Sequence, residues 1–229
     1  MKYKAIFFDR DGTLTMNDSG WVQIRDDKLF EWSGQPFVFT QELFDKIFQR
    51  VWQGGYSFVP YENVEQELQF FNQWYKALFN ELGITHNVSE RADYLVHHLW
   101  YLKKELYPET IDVLEYFKSH GYKMGVISDS PPSLELTLKS IDIHKYFTSF
   151  TASSLVGAGK PSPIIFNAAL NAQRVTADES IYIDDFDVEA DGAREQGFTS
   201  FLIDRSGENK GEWTISSLKE IIDFVERLK

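Results

Sequence analysis

The apolar tetrapeptide Ala5-Ile6-Phe7-Phe8 limits what this chain can fold into more than any other stretch. A short run of this kind reads as a strand buried on both faces of a parallel sheet. No other strand pattern follows until Lys123-Met124-Gly125-Val126-Ile127-Ser128. A single strand cannot bury itself, so residues 3–8 must join a sheet built by the second half of the chain. Whatever lies between is then an insertion.

The intervening sequence supports this. Residues 15–39 are broken by Gly20, Gly34 and Pro36 and give no clear assignment. From Thr40, a plausible N-cap, the spacing turns helical, with Leu43, Ile47 and Val51 on one stripe up to Gly54-Gly55. Val64, Leu68, Phe71, Tyr75, Leu78 and Leu82 recur at spacings of four and three, one face of a long helix that Gly83 can terminate. A third helix is expected from Ser89 through Leu102, with an aromatic core supplied by Phe70, Phe71, Trp74, Tyr75 and Phe79.

After Tyr107-Pro108 strands and helices alternate. Helices are expected at Glu109–His120, Pro131–Ile141 and Pro161–Gln173, after the 181–184 strand through Ala193 to Gly197, and from Ile215 to Leu228. Strands are expected at 123–128, 146–151, 181–184 and 199–203. That alternation predicts an α/β fold, a Rossmann-like parallel sheet flanked by helices. The expected division is a parallel-sheet core of residues 1–15 and 105–229, with an all-helical unit of residues 16–104 inserted into it.

Composition narrows the function classes. The 229 residues carry 23 basic and 35 acidic side chains, net −12, which disfavours nucleic acid or an anionic membrane as partner. With no cysteine there is no disulfide or thiolate metal site, which suits the cytoplasm. No stretch approaches a membrane span.

Ligands of open parallel sheets bind at the carboxyl ends of the strands. The side chains there are Asp9 and Asp11, then Ser128 and Asp129, then Asp184 and Asp185, with Lys160 entering beside Pro161. If the chain stays extended, Asp9 and Asp11 face one site and Arg10 faces away. Two carboxylates so close repel each other unless a cation relieves them, and a hard divalent ion does so with oxygen ligands. This set allows phosphoryl transfer: a carboxylate nucleophile, a second carboxylate as acid and base, and a hydroxyl and a lysine on the phosphoryl oxygens.

Asp9-Arg10-Asp11-Gly12-Thr13-Leu14, Ile127-Ser128-Asp129, Gly159-Lys160-Pro161 and Ile181-Tyr182-Ile183-Asp184-Asp185, in this order, resemble the four motifs of the haloacid dehalogenase superfamily. The resemblance implies Asp9 as nucleophile and Asp11 as general acid/base. It implies phosphate binding by Ser128, Asp129 and Lys160. It also implies a Mg²⁺ site of Asp9, Asp11 (through its backbone carbonyl), Asp184 and Asp185. The helical insert sits where the first subgroup of that superfamily carries its cap. Two positions depart from the pattern: Asn commonly follows the second-motif Ser, where this chain has Asp129, and the later acidic position falls on Glu189 or Asp187. An Asp at the position of Asp11 favours phosphomonoesters over the dehalogenase and phosphonatase branches.

Three decoys drop out. Asp187-x-Glu189-x-Asp191-Gly192 lacks the bidentate Glu of a calcium loop, having Phe198 there. Gly157-Ala158-Gly159-Lys160 lacks the first Gly and the closing Ser/Thr of a P-loop. His97 and His98 diverge around a helix. The expected function is a Mg²⁺-dependent phosphatase of a small phosphorylated metabolite. The alternatives are a phosphomutase of the same fold and a non-catalytic regulatory protein retaining it. Oligomeric state is not legible.

Overall fold

A computed structural model describes residues 2–16, 21–36, 38–52, 61–99 and 104–228. Its centre is a six-stranded, all-parallel sheet in the order β3-β2-β1-β4-β5-β6. The strands are β1 (Ala5–Phe8), β2 (Lys123–Ser128), β3 (Ser149–Ala152), β4 (Ser180–Asp184), β5 (Thr199–Ile203) and β6 (Thr214–Ile215). The isolated strand of the sequence does become central: Ala5 pairs with Lys123 on one side and Ser180 on the other, and Phe8 with Val126 and Ile183.

Alternation along β1 explains why all four of its residues are apolar. Ile6 and Phe8 pack on one face with Val113, Phe117, Leu138 and Ile221. These come from α5 (Thr110–Ser119), α6 (Leu134–Ser140) and α10 (Lys219–Glu226). Ala5 and Phe7 pack on the other face with Ile165, Phe166 and Ala193, from α8 (Pro163–Gln173), which follows the one-turn α7 (Ser153–Val156), and α9 (Asp187–Glu195). Neither face reaches solvent, as a parallel sheet covered by helices requires.

Between β1 and α5 the described residues form four helices: α1 (Trp21–Ser33), α2 (Gln41–Val51), α3 (Val64–Glu81) and α4 (Val88–Leu99). They share a core of their own, around Leu29, Ile47, Trp74, Leu78, Phe79 and Leu95. Thr40 caps α2 by accepting the Leu43 N–H (3.1 Å), and Asn63 caps α3 by accepting that of Gln66 (3.0 Å). The segments joining this unit to the sheet run side by side: Met16 N–H donates to Glu105 O (2.7 Å) and Tyr107 N–H to Leu14 O (3.3 Å). A side-chain contact also crosses between helices and core. Glu67 of α3, fully buried, accepts the Ser133 N–H (2.9 Å) and Oγ–H (2.6 Å) at the start of α6.

Some boundaries differ from the sequence reading. The strand expected at 146–151 begins only at Ser149, preceded by a 3₁₀ turn at His144–Tyr146, because pairing with β2 starts at Gly125–Ser149. Ile215 belongs to β6, pairing with Ile203, and the last helix starts at Lys219. In the unassigned stretch, α1 escapes periodicity because Val22, Ile24 and Phe30 are exposed while Leu29 and Arg25 are buried. The Gly54-Gly55 stop and residues 100–103 lie outside the described residues. Among the described residues no helix is long and apolar enough to cross a membrane.

Candidate active site

Three adjacent strands deliver the charged groups. Asp9 follows β1, Ser128 ends β2, and Asp184 ends β4 with Asp185 behind it. Lys160 arrives from the loop before α8 with its side chain 2% exposed. Its ammonium lies 2.8 Å from Asp9 Oδ1, 2.7 Å from Asp184 Oδ2 and 2.5 Å from Glu189 Oε2. Burial alone would depress this lysine, but Tyr182 and the three carboxylates carry it well above its usual value. Asp9 shows the opposite balance. Burial pushes it up to about 7, with Lys160 opposing and Asp184 adding to the rise. Burial likewise lifts Glu189 to about 7 against Lys160.

The carboxylates of Asp9, Asp184 and Asp185 each offer an oxygen, and those oxygens lie within 4.8 Å of one another. Three hard oxygen donors converging in a buried, over-acidic corner fit a divalent cation such as Mg²⁺. Gly12 belongs to the same corner. Its φ is +78°, and a Cβ there would fall 1.9 Å from Asp185 Oδ2, so only glycine lets the turn pass so close to that carboxylate.

Asp11 is placed differently from the extended-chain expectation. After Asp9 the backbone folds into a tight turn, with Leu14 and Thr15 N–H both donating to Arg10 O (2.9 Å each). The alternation of sides ends there, and Arg10 does not face away: Nε and Nη2 grip Asp11 at 3.0 and 2.8 Å. Lys104 Nζ (2.9 Å) and Thr15 Oγ1 (2.9 Å) also reach Asp11 Oδ1. Burial pushes Asp11 up, yet Arg10 and Lys104 outweigh it and hold it at about 2. Arg10 is itself steadied by Thr137 of α6, at 3.0 Å.

Ser128 is buried at the strand end. Asp129 is exposed, and its Oδ1 accepts the Lys160 N–H (3.0 Å), fastening the lysine loop to the end of β2. Of the two later acids, Glu189 joins the cluster while Asp187 stays exposed. Sequence reasoning missed Arg10, Lys104 and Tyr182, whose hydroxyl donates to Asp184 Oδ2. Nothing in the local sequence marks Lys104. Tyr182 lies two residues before Asp184 in one strand, and that spacing puts both side chains on the same face. A cleft of about 370 Å³ opens beside Asp185, lined among others by Gly12, Tyr107, Phe186, Asp204 and Arg205.

The chain is similar to known proteins. A family model described as haloacid dehalogenase-like hydrolase matches residues 3–197. The chain is 28% identical over 227 residues to Phosphatase MT3486 of Mycobacterium tuberculosis, covering 97% of this chain and 98% of that protein. It is 32% identical over 136 residues to glyceraldehyde 3-phosphate phosphatase of Methanocaldococcus jannaschii, 54% of this chain and 58% of that protein. Among solved structures, a 2-haloacid dehalogenase from Pseudomonas syringae pv. Tomato DC3000 superposes with a TM-score of 0.75 at 18% identity, covering 99% of this chain and 100% of that chain. A HAD phosphatase from Thermococcus onnurineus gives 0.65 at 22% identity, with 97% of each chain covered.

Proposed function

Because the chain belongs to the haloacid dehalogenase-like hydrolases, and the two relatives above are phosphatases, we propose that it hydrolyses a small phosphomonoester through a phosphoryl-Asp9 intermediate. One observation carries the reading. Asp9 stands at the end of the central strand with Lys160 Nζ 2.8 Å from Oδ1 and two further carboxylates beside it. A nucleophile, a cation for the phosphoryl oxygens and a divalent-metal corner therefore meet at one strand end.

In this reading a carboxylate oxygen of Asp9 forms a bond to phosphorus as the ester P–O bond breaks, and the leaving oxygen takes a proton from Asp11. Water then attacks the acyl phosphate with Asp11 as base, releasing inorganic phosphate and restoring Asp9. Lys160 and Ser128 hold the phosphoryl oxygens throughout. Asp9, Asp184 and Asp185 would hold Mg²⁺, which when bound neutralises phosphoryl charge and aligns the group. Held as a carboxylate by Arg10 and Lys104, Asp11 suits the base step. Donating a proton requires it to leave Arg10 and Lys104. We read helices α1–α4, within residues 16–104, as a cap that meets the leaving group above the core of residues 1–15 and 105–229.

Trapping tests this. Wild type quenched in acid during turnover should carry phosphate on the Asp9 peptide, and Asp9→Asn should hydrolyse no generic aryl phosphate. Multiple turnovers by Asp9→Asn above a trace of the wild-type rate would remove the nucleophile assignment.

A further inference from the structure

Tyr182 lies in the middle of β4, fully buried, between Phe166 (ring centroids 5.5 Å apart) and Phe198 (6.2 Å). A phenylalanine would fill that space equally well and would spare the cost of burying a hydroxyl, a group that is placed in a core only where it finds a partner. The partner here is not the nearest backbone. It is Asp184 Oδ2, the same oxygen that Lys160 Nζ uses at 2.7 Å. The other oxygen of Asp184 accepts the Phe186 N–H at 2.9 Å.

The ammonium of Lys160 has three protons and three carboxylate neighbours, Asp9, Asp184 and Glu189. A phosphoryl group can win that ammonium only if one of the three holds it loosely. Two donors on one carboxylate oxygen compete for it, so the phenol weakens the hold of Asp184 on the lysine. We propose that Tyr182 is a positioning residue of the phosphoryl site: its hydroxyl shares Asp184 Oδ2 and so keeps the Lys160 charge on Asp9 and available to phosphate. Without that hydroxyl the lysine settles on Asp184. This rests on the reaction proposed above, in which Lys160 meets the phosphoryl oxygens.

The test is a double-mutant cycle. Tyr182→Phe keeps the ring packing, so its melting temperature should stay within about 4 °C of wild type. Loss of a hydrogen bond to a charged group should raise the Kd for inorganic phosphate and lower kcat/KM on p-nitrophenyl phosphate, each by about tenfold. In a Lys160→Met background both effects of Tyr182→Phe should shrink below about twofold, and likewise in Asp184→Asn, which keeps the lysine and serves where Lys160→Met binds phosphate too weakly to measure. An unchanged phosphate Kd in Tyr182→Phe overturns the proposal. So does a tenfold effect that persists in either background, since a merely structural tyrosine would act additively. If wild type binds phosphate but hydrolyses no ester, the reaction fails while the binding arm still judges Tyr182.

Discussion

Asp9→Asn should make the metal-free protein more stable, and increasingly so as pH rises. In the folded chain burial holds the Asp9 carboxyl at about 7, whereas its ordinary value is 3.8. Between those values the folded state keeps a proton that the unfolded state has released. Stability therefore falls as pH climbs from about 4 to about 7 and stays low above it. A displacement of that size corresponds to about 4 kcal/mol at most. Lys160 loses one of its acceptors in the variant, so a gain on the order of 2–4 kcal/mol at pH 8 is expected, shrinking toward zero near pH 4. Urea unfolding of both proteins in chelator, at intervals from about pH 4.5 to 8, measures this difference directly. Mg²⁺ at about a hundred times its Kd should then return about 2.7 kcal/mol to wild type and much less to Asp9→Asn. A stability difference that is flat with pH, or wild type the more stable at pH 8, would refute the account of Asp9 as a group held against its own desolvation.

Chelation should abolish turnover and Mg²⁺ restore it, while Ca²⁺, which favours more ligands and looser geometry, binds with little activity; full activity after exhaustive chelation would exclude the metal. Asp11→Asn should slow alkyl phosphates by about a hundredfold or more and p-nitrophenyl phosphate far less in the first step, because a good leaving group needs no proton; equal loss of the trapped-phosphate burst on both would deny Asp11 the acid role. Glu67→Ala should loosen the contact between α3 and α6, leaving the Ser133 donors to water, and should be seen as altered tryptophan emission without loss of helical circular dichroism; unchanged emission and acrylamide quenching would show that this contact does not seat the helices.

Much of this protein is written locally. Ala5–Phe8 forms a strand, and its isolation from the later strands is enough to require a central place in a parallel sheet, because four consecutive apolar residues need cover on both faces. The motif residues Asp9, Ser128, Asp184 and Asp185 stand at strand ends, and strand ends of a parallel sheet share one edge whatever the loops do. Packing decided the rest. Period counting could not find α1, whose exposed Val22, Ile24 and Phe30 break the apolar stripe that a helix on a core should show. The turn after Asp9 brought Arg10 onto Asp11 instead of away from it, since a two-residue alternation holds only while the chain stays extended. Lys104 on Asp11, Glu189 on Lys160 and Glu67 on Ser133 each join residues far apart in the chain. Sequence sets which charges exist and which end of the sheet they reach. Only the packed chain sets which of them share a proton, and that pairing gives Asp9 and Asp11, two residues apart, opposite displacements.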